Sequence, residues 1–342
     1  MIRKFKILNF VWLWALVVST LAYGQEASQA GTSTANFLKI GVGSRAAALG
    51  DAFVAVANDA SSLYWNPGGL GTIKKVEFLL QSNSWMADTD LHYFGIALPV
   101  GNVGTFGASV YSFASGDIDE TTLQQSEGTG RIVTASDIAI GASYARQLTD
   151  RFFAGMTVKY IGERLSRETA RSFAIDIGSL FITDFLHEMR IGISLSNLGS
   201  RMLLSGPDML VSHDLAPDLP TNKYADASLT TQDWDLPLIF RFGLATDIVS
   251  TRSSRLTTAF AINDSRDFEQ RYNVGAEYAL TLFGGQQVFL RAGYKGNYDE
   301  ENLTAGGGLN IKLAGYNLGI DYAYAEAGRL GNAQRYSIRI TF

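Results

Sequence analysis

The sequence contains no cysteine. That excludes a disulfide framework, a zinc–thiolate site and a lipid anchor on cysteine, so rigidity must come from backbone pairing. Proline is scarce, 6 residues in 342, so few positions forbid a ladder hydrogen bond. Charge is sparse too: Asp, Glu, Lys and Arg make up 18% of the chain, against about a quarter in an ordinary soluble domain. The formal net charge is −5 and the basic residues are scattered singly, so no basic patch points to nucleic acid as a partner. No apolar run reaches the roughly 18 residues that a spanning helix needs. If the chain sits in a lipid bilayer, strands must carry it across.

What is present suits strands. The chain has 20 Phe, 15 Tyr and 35 Gly, and is 46% hydrophobic, a profile of strand formers and small residues. The N-terminus stands apart. Arg3, Lys4 and Lys6 precede an apolar stretch over 7–18, and Ala22-Tyr23-Gly24 is a small-x-small cleavage site. This reads as a signal peptide over 1–24 that exports the chain. A signal anchor is the alternative, for which the apolar stretch is short.

From residue 76 onward, segments of about ten residues alternate with period 2, the pattern of a membrane barrel. In 172–181, Phe173, Ile175 and Ile177 alternate with Ala174, Asp176 and Gly178. In 238–247, Phe240, Phe242 and Leu244 alternate with Arg241, Gly243 and Ala245. In 271–278, Tyr272, Val274 and Tyr278 alternate with Arg271, Asn273, Gly275 and Glu277. Alternation alone does not separate a soluble sandwich from a barrel. The connections do. The predicted strands are 76–85, 91–100, 104–113, 136–147, 152–165, 172–183, 189–198, 236–247, 255–263, 270–280, 288–296, 303–313, 316–325 and 334–342. Links after even-numbered strands are tight (101–103, 148–151, 184–188, 314–315). Those after odd-numbered strands reach 114–135 and 199–235. A barrel with short periplasmic turns and long external loops has that asymmetry, and a sandwich has no reason for it. The last strand alternates to a terminal Phe342, as closing strands of outer-membrane barrels commonly do. The expected fold is all-β, a transmembrane antiparallel β-barrel of about fourteen strands in the outer membrane.

Residues 37–70 break the pattern, being rich in Gly, Ala and Ser without alternation. Asp59-Ala60-Ser61-Ser62 is expected to open a short helix that Asn66-Pro67 stops. Barrels of about eight strands fill their interior with side chains and those of about sixteen leave a channel. A barrel between these sizes needs a plug, so this segment is expected to be a hatch. The predicted organisation is a signal peptide over 1–24, a periplasmic leader and lumenal hatch over 25–75, and a barrel over 76–342.

These residues carry a resemblance. Gly41-x-Gly43-x-Arg45, then Gly50-Asp51-Ala52-Phe53 running on to Asn58-Asp59-Ala60, then Tyr64-Trp65-Asn66-Pro67-Gly68-Gly69-Leu70, resemble the N-terminal signature of the PorV/PorQ family. That family is a branch of the FadL-like barrels associated with type IX secretion in Bacteroidetes-type bacteria. The signature covers about a tenth of the chain. Its usual Asn-Pro-Ala-Gly is replaced here by Asn66-Pro67-Gly68-Gly69. The resemblance implies a fourteen-stranded barrel with an N-terminal hatch, and a cargo shuttle or attachment-complex component in protein secretion. Its implied partners are secreted proteins and other secretion components. It makes Gly41, Gly43, Arg45, Gly50, Asp51, Asp59, Asn66, Pro67 and Gly68 the hatch motif.

Other motifs carry less. Gly41-x-Gly43 lacks the preceding strand a nucleotide loop requires. His92, His187 and His213 stand in no arrangement that places a base beside a nucleophile, so no enzyme activity, cofactor or metal site is predicted. The acidic runs 117–120 and 299–302 lack the spacing of a calcium loop and read as solvated tips. Asp176, Arg241, Arg271, Glu277, Arg291, Asp321, Arg335 and Arg339, with Lys295, fall on the inward set and are expected to line the lumen. One reading is an ionic pore. The other is that they pair with each other and with Arg45, Asp51 and Asp59, since unpaired buried charge is costly. Two functions follow: a secretion-associated barrel acting through its external loops, or a FadL-like channel for hydrophobic small molecules. A charged lumen favours the first.

Overall fold

The computed structural model describes residues 31–85, 89–214, 218 and 225–342. The expected signal peptide over 1–24 lies outside the described residues, as do Asp88 and residues 219–224 of the longest connection. Fourteen strands close into one antiparallel barrel. They are β1 (Glu77–Ser84), β2 (Thr89–Val100), β3 (Gly104–Ser115), β4 (Ala135–Thr149) and β5 (Phe152–Leu165). Next come β6 (Glu168–Ile182), β7 (Arg190–Gly199), β8 (Ile239–Ser250), β9 (Ser254–Ser265) and β10 (Phe268–Thr281). The last four are β11 (Gln287–Gly296), β12 (Leu303–Leu313), β13 (Tyr316–Glu326) and β14 (Asn332–Thr341). Each pairs with the next in sequence, and β1 closes on β14 from Glu77↔Thr341 to Ser82↔Tyr336. Closure leaves no strand edge, the condition for a sheet to lie in hydrocarbon.

The period-2 pattern translates directly into two faces. Phe240 is 42% exposed and its neighbour Arg241 only 4%. Phe173, Ile175 and Ile177 point outward while Asp176 is buried. The outer surface is thus apolar, and the inner one is Gly, small or charged over much of the wall, with an apolar sector where Leu91, Tyr93, Tyr111 and Ile161 cluster with Phe37, Leu38 and Leu63.

Links at one end are short (101–103, 150–151, 251–253, 314–315), and those at the other include 116–134 and 200–238. In outer-membrane barrels the short-turn end faces the periplasm. Two links at the long-loop end, 166–167 and 266–267, are much tighter than the sequence reading placed them. Leu165 still pairs with Glu168, and Ser265 with Phe268. Strand β6 therefore begins at Glu168 rather than 172. Residues 164–171 are mostly polar, so the apolar signal ends there, whereas backbone pairing continues without it. Each long connection carries its own small hairpin, Ile118–Asp119 with Ile132–Val133 and Leu210–His213 with Ala225–Ser228.

The N-terminal segment occupies the barrel interior. It contains the 3-10 turn Asn36–Lys39, α1 (Ser44–Ala48), α2 (Ser62–Trp65) and the 3-10 turn Pro67–Thr72. From Gly41 to Gly71 every residue but Asn58 and Tyr64 is buried. The barrel's own glycines make this possible. A methyl group built on Gly178 of β6 would meet Pro67 at 2.8 Å, and on Gly192 of β7 would meet Ala55 at 2.8 Å. On Gly275 of β10 it would meet Leu49 at 3.0 Å, and on Gly306 of β12 Ala48 at 2.5 Å. The segment thus touches opposite walls through backbone-close contacts. The Thr34 N–H donates to the Asp235 carbonyl at 3.1 Å, and Lys39 pairs with Asp267 at 2.6 Å, both at the long-loop end. The chain descends from there to β1 at the short-turn end.

Candidate functional site

The interior divides into two layers. Nearer the short-turn end is a paired network centred on Arg45 of α1. Its Nε donates to Glu277 at 2.8 Å and its Nη1 to Asp59 at 3.0 Å and Asn58 at 2.7 Å. Glu277 also accepts from Arg291 at 2.8 Å, and Arg291 reaches Asp321 at 2.6 Å. Arg339 closes the group on Asp59 at 3.1 Å. Burial pushes the Asp59 carboxyl up, but Arg45 and Arg339 outweigh it and hold the group below the usual carboxylate range. Segment and wall are therefore joined by charge at this level, through Arg45, Glu277, Asp59 and Arg339.

Local structure explains how the segment offers these groups. Asp59 accepts from the Ser61 N–H at 3.0 Å, a local turn just ahead of α2 of the kind short acidic side chains form with their own backbone. Glu77, at the start of β1, accepts from the Ala60 N–H at 2.6 Å. Asn66 ends α2. Its Oδ1 accepts from Gly68 N–H at 3.0 Å while its Nδ2 donates to the carbonyls of Val54 and Ser179, both at 2.9 Å. Pro67 begins the next turn, where a missing N–H costs nothing. Gly43 and Gly50 sit at φ +90° and +62°, the left-handed region that favours glycine.

The upper layer, toward the long loops, differs. A cavity of about 370 Å³ opens there between the segment and the strand ends. Three inward arginines line it. Arg271 is stacked between Phe268 at 4.1 Å and Tyr298 at 4.4 Å. Arg335 lies over Trp85 at 4.6 Å and donates Nη1 to the Gly41 carbonyl at 2.6 Å. Arg241 lies over Tyr64 at 5.2 Å and Trp65 at 5.3 Å, and donates to Ser196 at 3.0 Å. Among the described residues none of the three forms an ion pair. Lys295 is different, gripped by Asp51 at 2.5 Å and Glu301 at 2.6 Å. The Tyr64 hydroxyl, donating to the Leu38 carbonyl at 2.9 Å, is pushed up to about 12, by burial foremost.

The residues singled out in the sequence thus go to different places. Gly41, Gly43, Arg45, Gly50, Asp51, Asp59, Asn66, Pro67 and Gly68 all lie in the interior segment. Glu277, Arg291, Asp321 and Arg339 join it in the lower layer, whereas Arg241, Arg271 and Arg335 line the upper cavity. Asp176 joins neither. It pairs with Lys159 at 2.8 Å and accepts from the Asn197 N–H at 2.7 Å, bracing the irregular pairing of β6 with β7. Sequence reasoning passed over Glu77, Trp85, Phe268 and Tyr298. Glu77 had a signal, an acid on the inward set of the first strand. The aromatics had none, because only the closed barrel brings strand ends 77–84, 268–281 and 332–341 to one rim.

Comparison with known proteins gives the following. The family profile described as "Type IX secretion system protein PorV" matches residues 23–206, more than half of the chain. No curated protein matches by sequence. Among solved structures, the toluene transporter TbuX of Ralstonia pickettii is similar at a TM-score of 0.56 and 12% identity, covering 88% of this chain and 97% of that one. The toluene transporter TodX of Pseudomonas putida is similar at 0.55 and 9%, covering 88% and 97%. The monoaromatic hydrocarbon channel CymD is similar at 0.54 and 10%, covering 88% and 96%. At such identities these likenesses speak for the fold.

Proposed function

Since the chain belongs to the PorV family of type IX secretion system proteins, we propose that it acts in the outer membrane as a cargo shuttle or attachment-complex component, working through its external loops. In this reading residues 36–72 form a plug that keeps the barrel from being a conduit. The observation that carries it is the occupied interior, a buried segment tied to the wall through Arg45, Asp59 and Asn66. If this segment plugs the lumen, interaction falls to the external face. The connection 200–238 is the longest there and carries an exposed Trp234, and loops on a rigid scaffold are where binding concentrates. The proposed signal peptide delivers the chain to this membrane.

A second reading, a channel for hydrophobic small molecules, draws on the shared fold with the hydrocarbon transporters. It asks for a mainly apolar path, and the arginines and carboxylates of both layers weigh against it.

The test is capture. An affinity-tagged chain lacking 202–233 should still show the heat-modifiable gel mobility of a closed barrel. It should lose co-purification of other type IX components and cargo from outer membranes. If capture survives undiminished, the partner surface is elsewhere, 116–134 being the next candidate.

A further inference from the structure

We infer that the cavity at the outer mouth is a carboxylate-binding pocket that receives an acidic group of an extended peptide. This deepens the secretion reading and rests on it for the peptide class. The chemistry rests on the three arginines. They converge from β8, β10 and β14, which are distant in sequence. Each has its guanidinium carbon within 5.3 Å of an aromatic ring centroid. Cation–π attraction at that range helps hold each guanidinium in place, and a guanidinium is the group that grips a carboxylate through two bonds. Arg335 is 2% exposed and its Nε has no partner. A buried donor left unmade is costly, and an incoming carboxylate would relieve it.

The other charges around the cavity offset the three only in part: the lining holds five cations, the three arginines with Lys39 and Lys295, against the four carboxylates Asp51, Asp299, Glu300 and Glu301. Asp51 and Glu301 are held by Lys295, Lys39 by Asp267, and Glu300 by Arg329. Asp299, exposed at the rim, is the one lining carboxylate among the described residues without an ion pair. The pocket floor is thus cationic while the layer beneath it is neutralised. The walls decide between anions. Trp85, Phe268 and Tyr298 suit a ligand whose acid sits beside an apolar body, whereas phosphate is hydrated on every side. A volume of about 370 Å³ takes one or two side chains and excludes a folded domain. The acid is either a C-terminal carboxylate or an Asp or Glu side chain.

The full chain in detergent, titrated by tryptophan fluorescence and calorimetry, tests this with four probes. They are the peptide Gly-Gly-Phe as free acid, its C-terminal amide, an N-acetylated and C-amidated Asp-Phe, and inorganic phosphate. The free acid or the side-chain acid should bind about tenfold or more tighter than the amide, the loss expected when a charge-assisted pair is removed. Which of the two binds names the source of the carboxylate. Arg271→Gln, in a barrel that keeps its heat-modifiable mobility, should show a loss of similar size. Equal binding of acids and amide, phosphate binding as tightly as the acids, or an unaltered Arg271→Gln would each overturn the pocket. Partner capture is scored separately on the same preparation. Capture without acid binding removes the pocket and leaves the secretion reading, and acid binding without capture does the reverse.

Discussion

At the scale of single residues, the inward and outward faces impose opposite rules on neighbours. Phe240 faces outward and Arg241 inward. Phe240→Arg should cost roughly 2–4 kcal/mol if it lies near the bilayer midplane, and should reduce the heat-modifiable fraction after refolding into detergent or lipid. Arg241→Lys keeps the charge on the inner face and should assemble as the parent does. Equal behaviour of the two variants would mean the faces are misassigned. Gly50 obeys a different constraint. It sits at φ +62°, and an added methyl would stand 2.9 Å from the Tyr294 backbone nitrogen. Gly50→Ala therefore combines strain with a clash that the rigid β11 ladder cannot relieve. The barrel should still close, and the interior segment should lose its seat. Faster tryptic cleavage after Arg45 than in the parent is the expected readout, and cleavage at the parent rate would count against the close packing.

At the scale of elements, the interior segment is held by charge and side-chain hydrogen bonds, while the strands are held by the backbone. That separates their responses to acid. Asp59 and Asp267 are both held below the usual carboxylate range. Burial pushes each up, but Arg45 and Arg339 outweigh it for Asp59, and hydrogen bonds from Lys39, Ser33 and Ser265 do so for Asp267. A carboxyl whose folded value is depressed contributes stability above its unfolded value, about 4, and loses it as pH falls through the folded value. Acidification below about pH 4 should therefore release the segment to protease before the barrel loses its heat-modifiable mobility. Simultaneous loss of both would show one cooperative unit. Strands were legible because their signal is local, a period of two. So was α2, since Asp59 and Asn66-Pro67 mark its ends within a few residues. The upper cavity was not, because Trp85, Phe268 and Arg335 meet only through closure of the sheet. The strand ends at Glu168 and Phe268 were missed for a related reason. Ladder hydrogen bonds outlast the apolar pattern that betrays them.

At the scale of the whole molecule, a fourteen-stranded wall encloses a neutralised, filled lower layer and a cationic mouth, and the proposed function takes this as the frame of a sealed barrel that works on one face. Family membership in type IX secretion and a fold shared with hydrocarbon transporters fit one architecture. The charges on the inward set, read in the sequence as either a pore lining or a paired lattice, divide by depth. Arg45, Glu277, Arg291 and Asp321 are paired, and the three arginines above them are not. Conductance in planar bilayers tests the central claim, that residues 36–72 seal the barrel, most directly. The full chain should be electrically silent at moderate voltage, and a chain lacking 36–72 that still assembles should open steady single-channel steps. Steady steps from the full chain, or silence from the shortened one, would contradict the account.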